Sequence, residues 1–178
     1  MSCGIERPLR NETTTIWAGA GLPITIHKTD QELFEAISQI YCEKVPFNTV
    51  IGLRVESLHY DHVAIRFDMR NDLIGNFLRG NLHGGVISTA IDVTGSLSAF
   101  MGLQKKLAGK TLEQKMAHIE KLGTIDLRVD YLRPGMGDWF ICTAHTLRTG
   151  NKVAVARVEL RNDSDDLIAV GTGSYVIS

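Results

Sequence analysis

"GNLHGGVISTAIDVTGSLSAF", residues 80–100, decides how this chain folds. Beyond its histidine and paired glycines the run is apolar or small on nearly every side, and a helix of that kind belongs in an interior. At its centre stands one carboxylate, Asp92. Burying a carboxylate is costly unless it is paired, hydrogen-bonded or used, so chemistry is sought first at Asp92. The small residues Ser88, Ala90, Gly95, Ser96, Ser98 and Ala99 predict that a curved sheet wraps closely around this helix.

The flanks supply that sheet. Upstream, "TDQELFEAISQIYCEKV" places Leu33, Phe34, Ile37, Ile40 and Tyr41 at helical spacing, with Thr29 and Glu32 as a capping box and Pro46 as its expected end. "VIGLRVESLHYDHVAIRFDM", residues 50–69, alternates with period two about a polar turn near Tyr60-Asp61, which predicts an antiparallel hairpin. Downstream, "KTLEQKMAHIEKLG" predicts a second helix with Thr111 and Gln114 as capping box, Leu112, Met116 and Ile119 on one stripe, and Gly123 as its stop. Four strand-like runs follow: "TIDLRVDYLRP", "DWFICTAHTLR", "KVAVARVELRN" and "LIAVGTGSYVIS". Their joints, "PGMG", "TGN" and "DSDD", read as the turns of a meander. The predicted class is α+β: an antiparallel β-sheet wrapped around a long central helix, with an extra helical insert and an N-terminal extension. Residues 1–28 are read as the extension and 29–178 as one domain.

Of the 178 residues, 44% are hydrophobic, enough for a real core, and a formal charge of -1 gives no drive toward nucleic acid or an anionic membrane. Neither partner is expected. Three cysteines without C-x-x-C spacing suggest neither a disulfide framework nor a zinc site, and a reducing cytoplasm fits them best. The N-terminus shows no secretory apolar region and no stretch reads as a membrane span. His59 and His62, three apart, would face opposite sides of a strand and, unless a turn intervenes, cannot share a metal ion; no metal or cofactor is expected.

"LHGG", Asp92 nine positions after His83, the late "GTIDLRVDYLRPG" and "LRTGNKVAVARVEL" together resemble the PaaI-type branch of the hotdog-fold acyl-CoA thioesterases. The last two stretches, with the insert before them, are similar to the YigI-like members. The resemblance spans roughly residues 45–177. It implies a hotdog fold, a homodimer or dimer of dimers, and hydrolysis of acyl-CoA: medium or long fatty acyl groups for YigI-like members, phenylacetyl-type thioesters for PaaI-like members proper. Thr124 occupies the place where such proteins carry Ser or Thr near the attacking water. They often carry Asn or Gln six positions before the His, where this chain has Phe77; Asn76, one place earlier, is the substitute candidate.

The residues fit such chemistry on their own terms. Freed N–H groups at Gly84 and Gly85, opening a helix, can hold a thioester oxyanion. Asp92 can act as general base or nucleophile, and His83 fixes the start of the helix. Gly84 and Asp92 lie eight residues, roughly 12 Å of helix rise, apart, whereas groups acting on one bond converge within about 3 Å. Two antiparallel copies of the helix solve this, with Asp92 of one protomer facing Gly84 of its partner. For the phosphates of CoA, Arg148, Gly150, Asn151 and Lys152 in the "TGN" turn offer charge and backbone amides, with Arg79 and Arg133 as further candidates. The insert helix is a candidate cover for an acyl tunnel. A non-catalytic acyl-CoA-binding protein is the competing class; a dehydratase ranks last, because no helix-borne Glu is paired with a suitably placed His.

Overall fold

In the computed structural model, which describes the backbone of residues 13–17 and 23–178 and side chains from residue 30 onward, strands β1 (Thr13–Trp17) and β2 (Pro23–His27) pair antiparallel as a separate two-stranded sheet. The rest of the predicted extension lies outside the described residues. Helix α1 (Lys28–Gln39) passes into a π-helical turn over Ile40–Lys44. It starts one residue before Thr29, which therefore sits in its first turn rather than capping it. Pro46 does not simply end this segment: it opens α2 (Pro46–Ile51), where its missing N–H removes no helical bond, and Gly52 at φ +82° closes that helix. The Asn48 side-chain amide donates to the Tyr41 carbonyl (3.0 Å) and ties α2 to the π-turn.

Because α2 claims Val50 and Ile51, the predicted hairpin is shorter than its pattern, β3 (Arg54–Leu58) and β4 (Val63–Asp68). The turn between them carries His59 and His62, joined by a backbone bond of 2.9 Å, so a turn does intervene between these two. Among the described residues no group of three His, Cys, Asp or Glu is placed to hold a metal.

After the small hairpin of β5 (Ile74–Asn76) and β6 (Asn81–Leu82) comes the central helix, α3 (Gly84–Lys106). By length and composition it could cross a membrane, contrary to the expectation that no segment reads as a span. Here 67% of its apolar window is buried inside the protein, as in the core helix of a globular fold. The insert forms α4 (Leu112–Met116) with the expected reciprocal bonds of Thr111 and Gln114, then a short 3-10 turn. Leu112, Met116 and Ile119 pack on the core. Gly123 is not a helix stop; it is the first residue of a strand.

Strands β7 (Gly123–Tyr131), β8 (Trp139–Thr149), β9 (Val153–Asn162) and β10 (Leu167–Val176) appear where the four runs predict them. The six-stranded antiparallel sheet runs β3-β4-β8-β9-β10-β7, so the meander holds for β8 to β10 only. "PGMG" belongs to a crossover, not to a hairpin. Its backbone crosses the sheet end through bonds from Leu132 to Ile168, Leu82 to Gly135 and Met69 to Asp138, leaving β7 at the edge beside β10. Local turn residues specify a sharp bend but not which strand the chain meets after it.

The sheet curls around α3. Ile87, Ile91, Leu97, Phe100 and Met101 bury against Ile65 and Phe67 of β4, Phe140 of β8 and Leu160 of β9. Each such fully buried side chain contributes about 1.5–3 kcal/mol. From Leu97 to Gln104 every residue of α3 is buried, whereas its first half keeps one open face: Gly85, Ser88, Thr89, Asp92 and Ser96. That open face sets the stage for the site.

Candidate active site

The start of α3 is built around His83. Its backbone is extended and its Nδ1 accepts the Gly85 amide (2.8 Å), while its carbonyl accepts the amides of Val86 and Ile87 (3.0 and 3.2 Å). This corrects the pairing of Gly84 with Gly85 as free donors: Gly85's N–H is used by the cap, and only the Gly84 amide is without an acceptor among the described residues. The two glycines therefore differ in reason. A Cβ at Gly85 would lie 2.9 Å from His83 Nδ1, so the cap itself requires glycine there. At Gly84 the nearest atom would be Tyr131 Cε1 at 3.6 Å, an ordinary contact. Within this chain nothing demands glycine at 84, and the residue lines a cleft of about 350 Å³ together with Asn81, Ile87, Tyr131 and Arg133.

Two turns further along, Asp92 receives the Thr124 hydroxyl on both carboxylate oxygens (2.9 and 3.2 Å). Thr124 reaches it through a β-bulge. Leu127 and Val129 of β7 face the core, and strict alternation would send Ile125 the same way. Instead Ser174 pairs with Asp126 and Tyr175 with Thr124, so Ile125 is skipped and left 58% exposed. An inserted residue of this kind re-aims the side chains next to it, and here it turns Thr124 toward the helix. Burial pushes the Asp92 carboxyl above the usual carboxylate range, opposed by the hydroxyls of Thr124 and Tyr175. An ionised carboxylate with raised basicity and one remaining open side can accept a proton or attack an electrophile.

Other candidates separate. The Asn76 side-chain oxygen accepts the amides of Leu78 and Arg79 and shapes its own exposed turn. The "TGN" turn of Arg148, Gly150, Asn151 and Lys152 lies at the opposite end of α3, where Lys106 Nζ donates to the carbonyls of Thr149 and Gly150. Lys106 is fourteen residues past Asp92, about 21 Å of helix rise, and the Gly150 amide is bonded to the Val153 carbonyl (2.8 Å). Arg133, by contrast, shares the cleft with Gly84. Sequence reading missed Tyr175 and Tyr41, which also face Asp92. The one available signal was a tyrosine two residues after a strand glycine in "GTGSYV".

The model of the thioesterase superfamily matches residues 79–169. The medium/long-chain acyl-CoA thioesterase YigI of Escherichia coli K12 is 36% identical over 149 residues, 84% of this chain and 96% of that protein. Among solved structures, a Shewanella oneidensis protein related to the thioesterase superfamily superposes with a TM-score of 0.80 at 40% identity, covering 83% of this chain and 97% of that one. A candidate thioesterase from Syntrophus aciditrophicus has a TM-score of 0.77 at 53% identity, covering 85% and 99%.

Proposed function

The chain belongs to the thioesterase superfamily, and from that premise we propose that it hydrolyses medium- and long-chain fatty acyl-CoA to free acid and CoA in a site shared by two protomers. The observation that carries the reading is the spacing on α3: a raised, partly open carboxylate at Asp92 and an unpartnered amide at Gly84, too far apart on one helix to meet one carbonyl. Two features support a partner copy. The open stripe of α3 holds only small side chains beside Asp92, which suits close approach of a second helix. Edge strand β7 leaves Ile125 (58%) and Tyr131 (54%) exposed and the β5–β6 turn leaves Phe77 (87%) and Leu78 (82%) exposed, apolar surface of a kind rarely kept without cover.

In this reading the partner's Gly84 amide holds the thioester oxygen as negative charge develops on it. As general base, Asp92 takes a proton from water while that water's oxygen bonds to the carbonyl carbon; the tetrahedral intermediate collapses, the C–S bond breaks, and the CoA thiolate leaves and is protonated. As nucleophile, Asp92 bonds to the carbonyl carbon, the C–S bond breaks as the CoA thiolate leaves and is protonated, and water then opens the resulting acyl anhydride to the free acid and the Asp92 carboxylate. Either route needs the ionised carboxylate, with Thr124 holding it in place. Arg133 in the cleft and the Arg148 to Lys152 turn supply cations for the phosphates, the long pantetheine arm spanning between chemistry and charge.

The deciding assay follows thiol release from short, medium, long and phenylacetyl acyl-CoAs. Highest kcat/KM on medium or long chains supports the proposal. A phenylacetyl preference would move it to the aromatic branch, and tight acyl-CoA binding without turnover would make it a binding protein. The acid limb of kcat/KM is expected to follow Asp92: activity falls as pH drops through its raised pKa, at higher pH than an ordinary aspartate would give. Thr124→Val removes a donor that holds this pKa down, so the limb should move further up and kcat should fall roughly tenfold. An unmoved limb in a folded variant would remove Thr124 from the site.

A further inference from the structure

We propose that Tyr175 is a positioning residue for Asp92, its hydroxyl seated between α3 and β10 so as to fix the backbone of that residue, and through it the direction of the carboxylate, from behind. This rests on Asp92 being the reacting carboxylate. Tyr175 lies in the last strand, beyond the stretch that the family model matches, and its side chain is fully buried. Its hydroxyl donates to the Asp92 carbonyl (3.3 Å). A buried phenol needs such a partner, whereas phenylalanine would fill the same space without one.

The seat is made by two glycines on different elements. A Cβ at Gly95 of α3 or at Gly173 of β10 would each come within 2.2 Å of the Tyr175 hydroxyl. A glycine inside a helix weakens it relative to alanine, and one inside a strand also weakens it. Both departures open space at the same oxygen. The β-bulge completes the arrangement, because it makes Thr124 the cross-strand neighbour of Tyr175. Thr124 therefore holds the carboxylate from β7 and Tyr175 holds its residue from β10.

The groups facing Asp92 are then Thr124, Tyr175 and Tyr41. Tyr41, buried on the π-helical turn, feels the Asp92 charge. Among the described residues no Lys, Arg or His bonds the carboxylate. It is held by the neutral Thr124 hydroxyl, with the Tyr175 hydroxyl on the main-chain carbonyl of the same residue, and neither neutralises it, as a proton acceptor requires.

The test is Tyr175→Phe in the full chain, measuring kcat, KM, thermal midpoint and the pH profile of kcat/KM. The expected result is a kcat roughly tenfold lower, KM little changed, an intact fold and an acid limb displaced to higher pH, since the phenol that holds the Asp92 pKa down is gone. An unchanged kcat, or an unmoved acid limb in the folded variant, would overturn the proposal. Should Tyr175→Phe fail to fold, Gly95→Ala keeps the phenol but drives its oxygen off the seat, and the same displacement is expected; its absence would also overturn the proposal. If Asp92→Asn retains turnover, the carboxylate reading itself fails, whatever Tyr175→Phe shows. If Asp92→Asn is dead while the acid limb of Tyr175→Phe stays put, only the role of Tyr175 falls.

Discussion

Asp92→Asn should lose about three orders of magnitude in kcat, the scale of general acid–base catalysis, while folding at least as well as the parent chain. The first half follows from chemistry: the amide has neither the charge nor the basicity to take a proton or attack a carbonyl. The second follows from linkage. Burial raises the Asp92 pKa, so between the unfolded and folded values the folded state binds more protons than the unfolded one. Stability contributed here is present at low pH and lost as pH rises through the folded pKa, and at neutral pH the ionised side chain is a net strain on the fold. Replacing it with a neutral side chain of similar size removes that strain. A thermal midpoint equal to or above the parent's, with activity gone, is the expected signature of a site held at the expense of stability. Substantial turnover in the folded variant would assign the chemistry elsewhere.

Gly84→Pro should lower kcat by about a hundred- to a thousandfold, the usual consequence of losing one oxyanion donor. Proline is a suitable probe because position 84 is the first residue of α3, where a missing N–H breaks no helical bond and proline is favoured. His83 before it is already extended at φ -67°, ψ 136°, the conformation that a following proline imposes. The helix should therefore persist and only the amide disappear. Gly84→Ala is the companion: it keeps the N–H and meets nothing closer than 3.6 Å within the chain, so it should retain far more activity. Equal losses in both variants would mean that crowding, not the missing donor, is responsible.

Much of this was legible in the sequence. The central helix announced itself by being apolar all round, and the strand runs by their alternation, because both patterns are set by burial on known periods. Thr111 and Gln114 form the capping box their spacing predicts. Illegible features depend on what lies opposite. Pro46 reads equally as the end of one helix or the start of the next, and the chain needed α2 to turn into the sheet. "PGMG" gives a bend, but only the wrapped sheet decides that β7 ends beside β10. Thr124 was visible by resemblance, yet the bulge that aims it and the tyrosine facing it are cross-strand facts. Likewise, the division of labour between Gly84 and Gly85 depends on the ring of His83, which a pair of identical letters does not reveal.

The most direct test of the shared site is complementation between two inactive chains. In a dimer of one Asp92→Asn protomer and one Gly84→Pro protomer, one site combines both lesions and the other receives an intact Asp92 from one chain and an intact Gly84 from the other. After the two variants are mixed and subunit exchange is verified, random pairing should restore about a quarter of parental activity. If each protomer carried its own complete site, every site would hold one lesion, and the exchanged mixture would remain as inactive as its components.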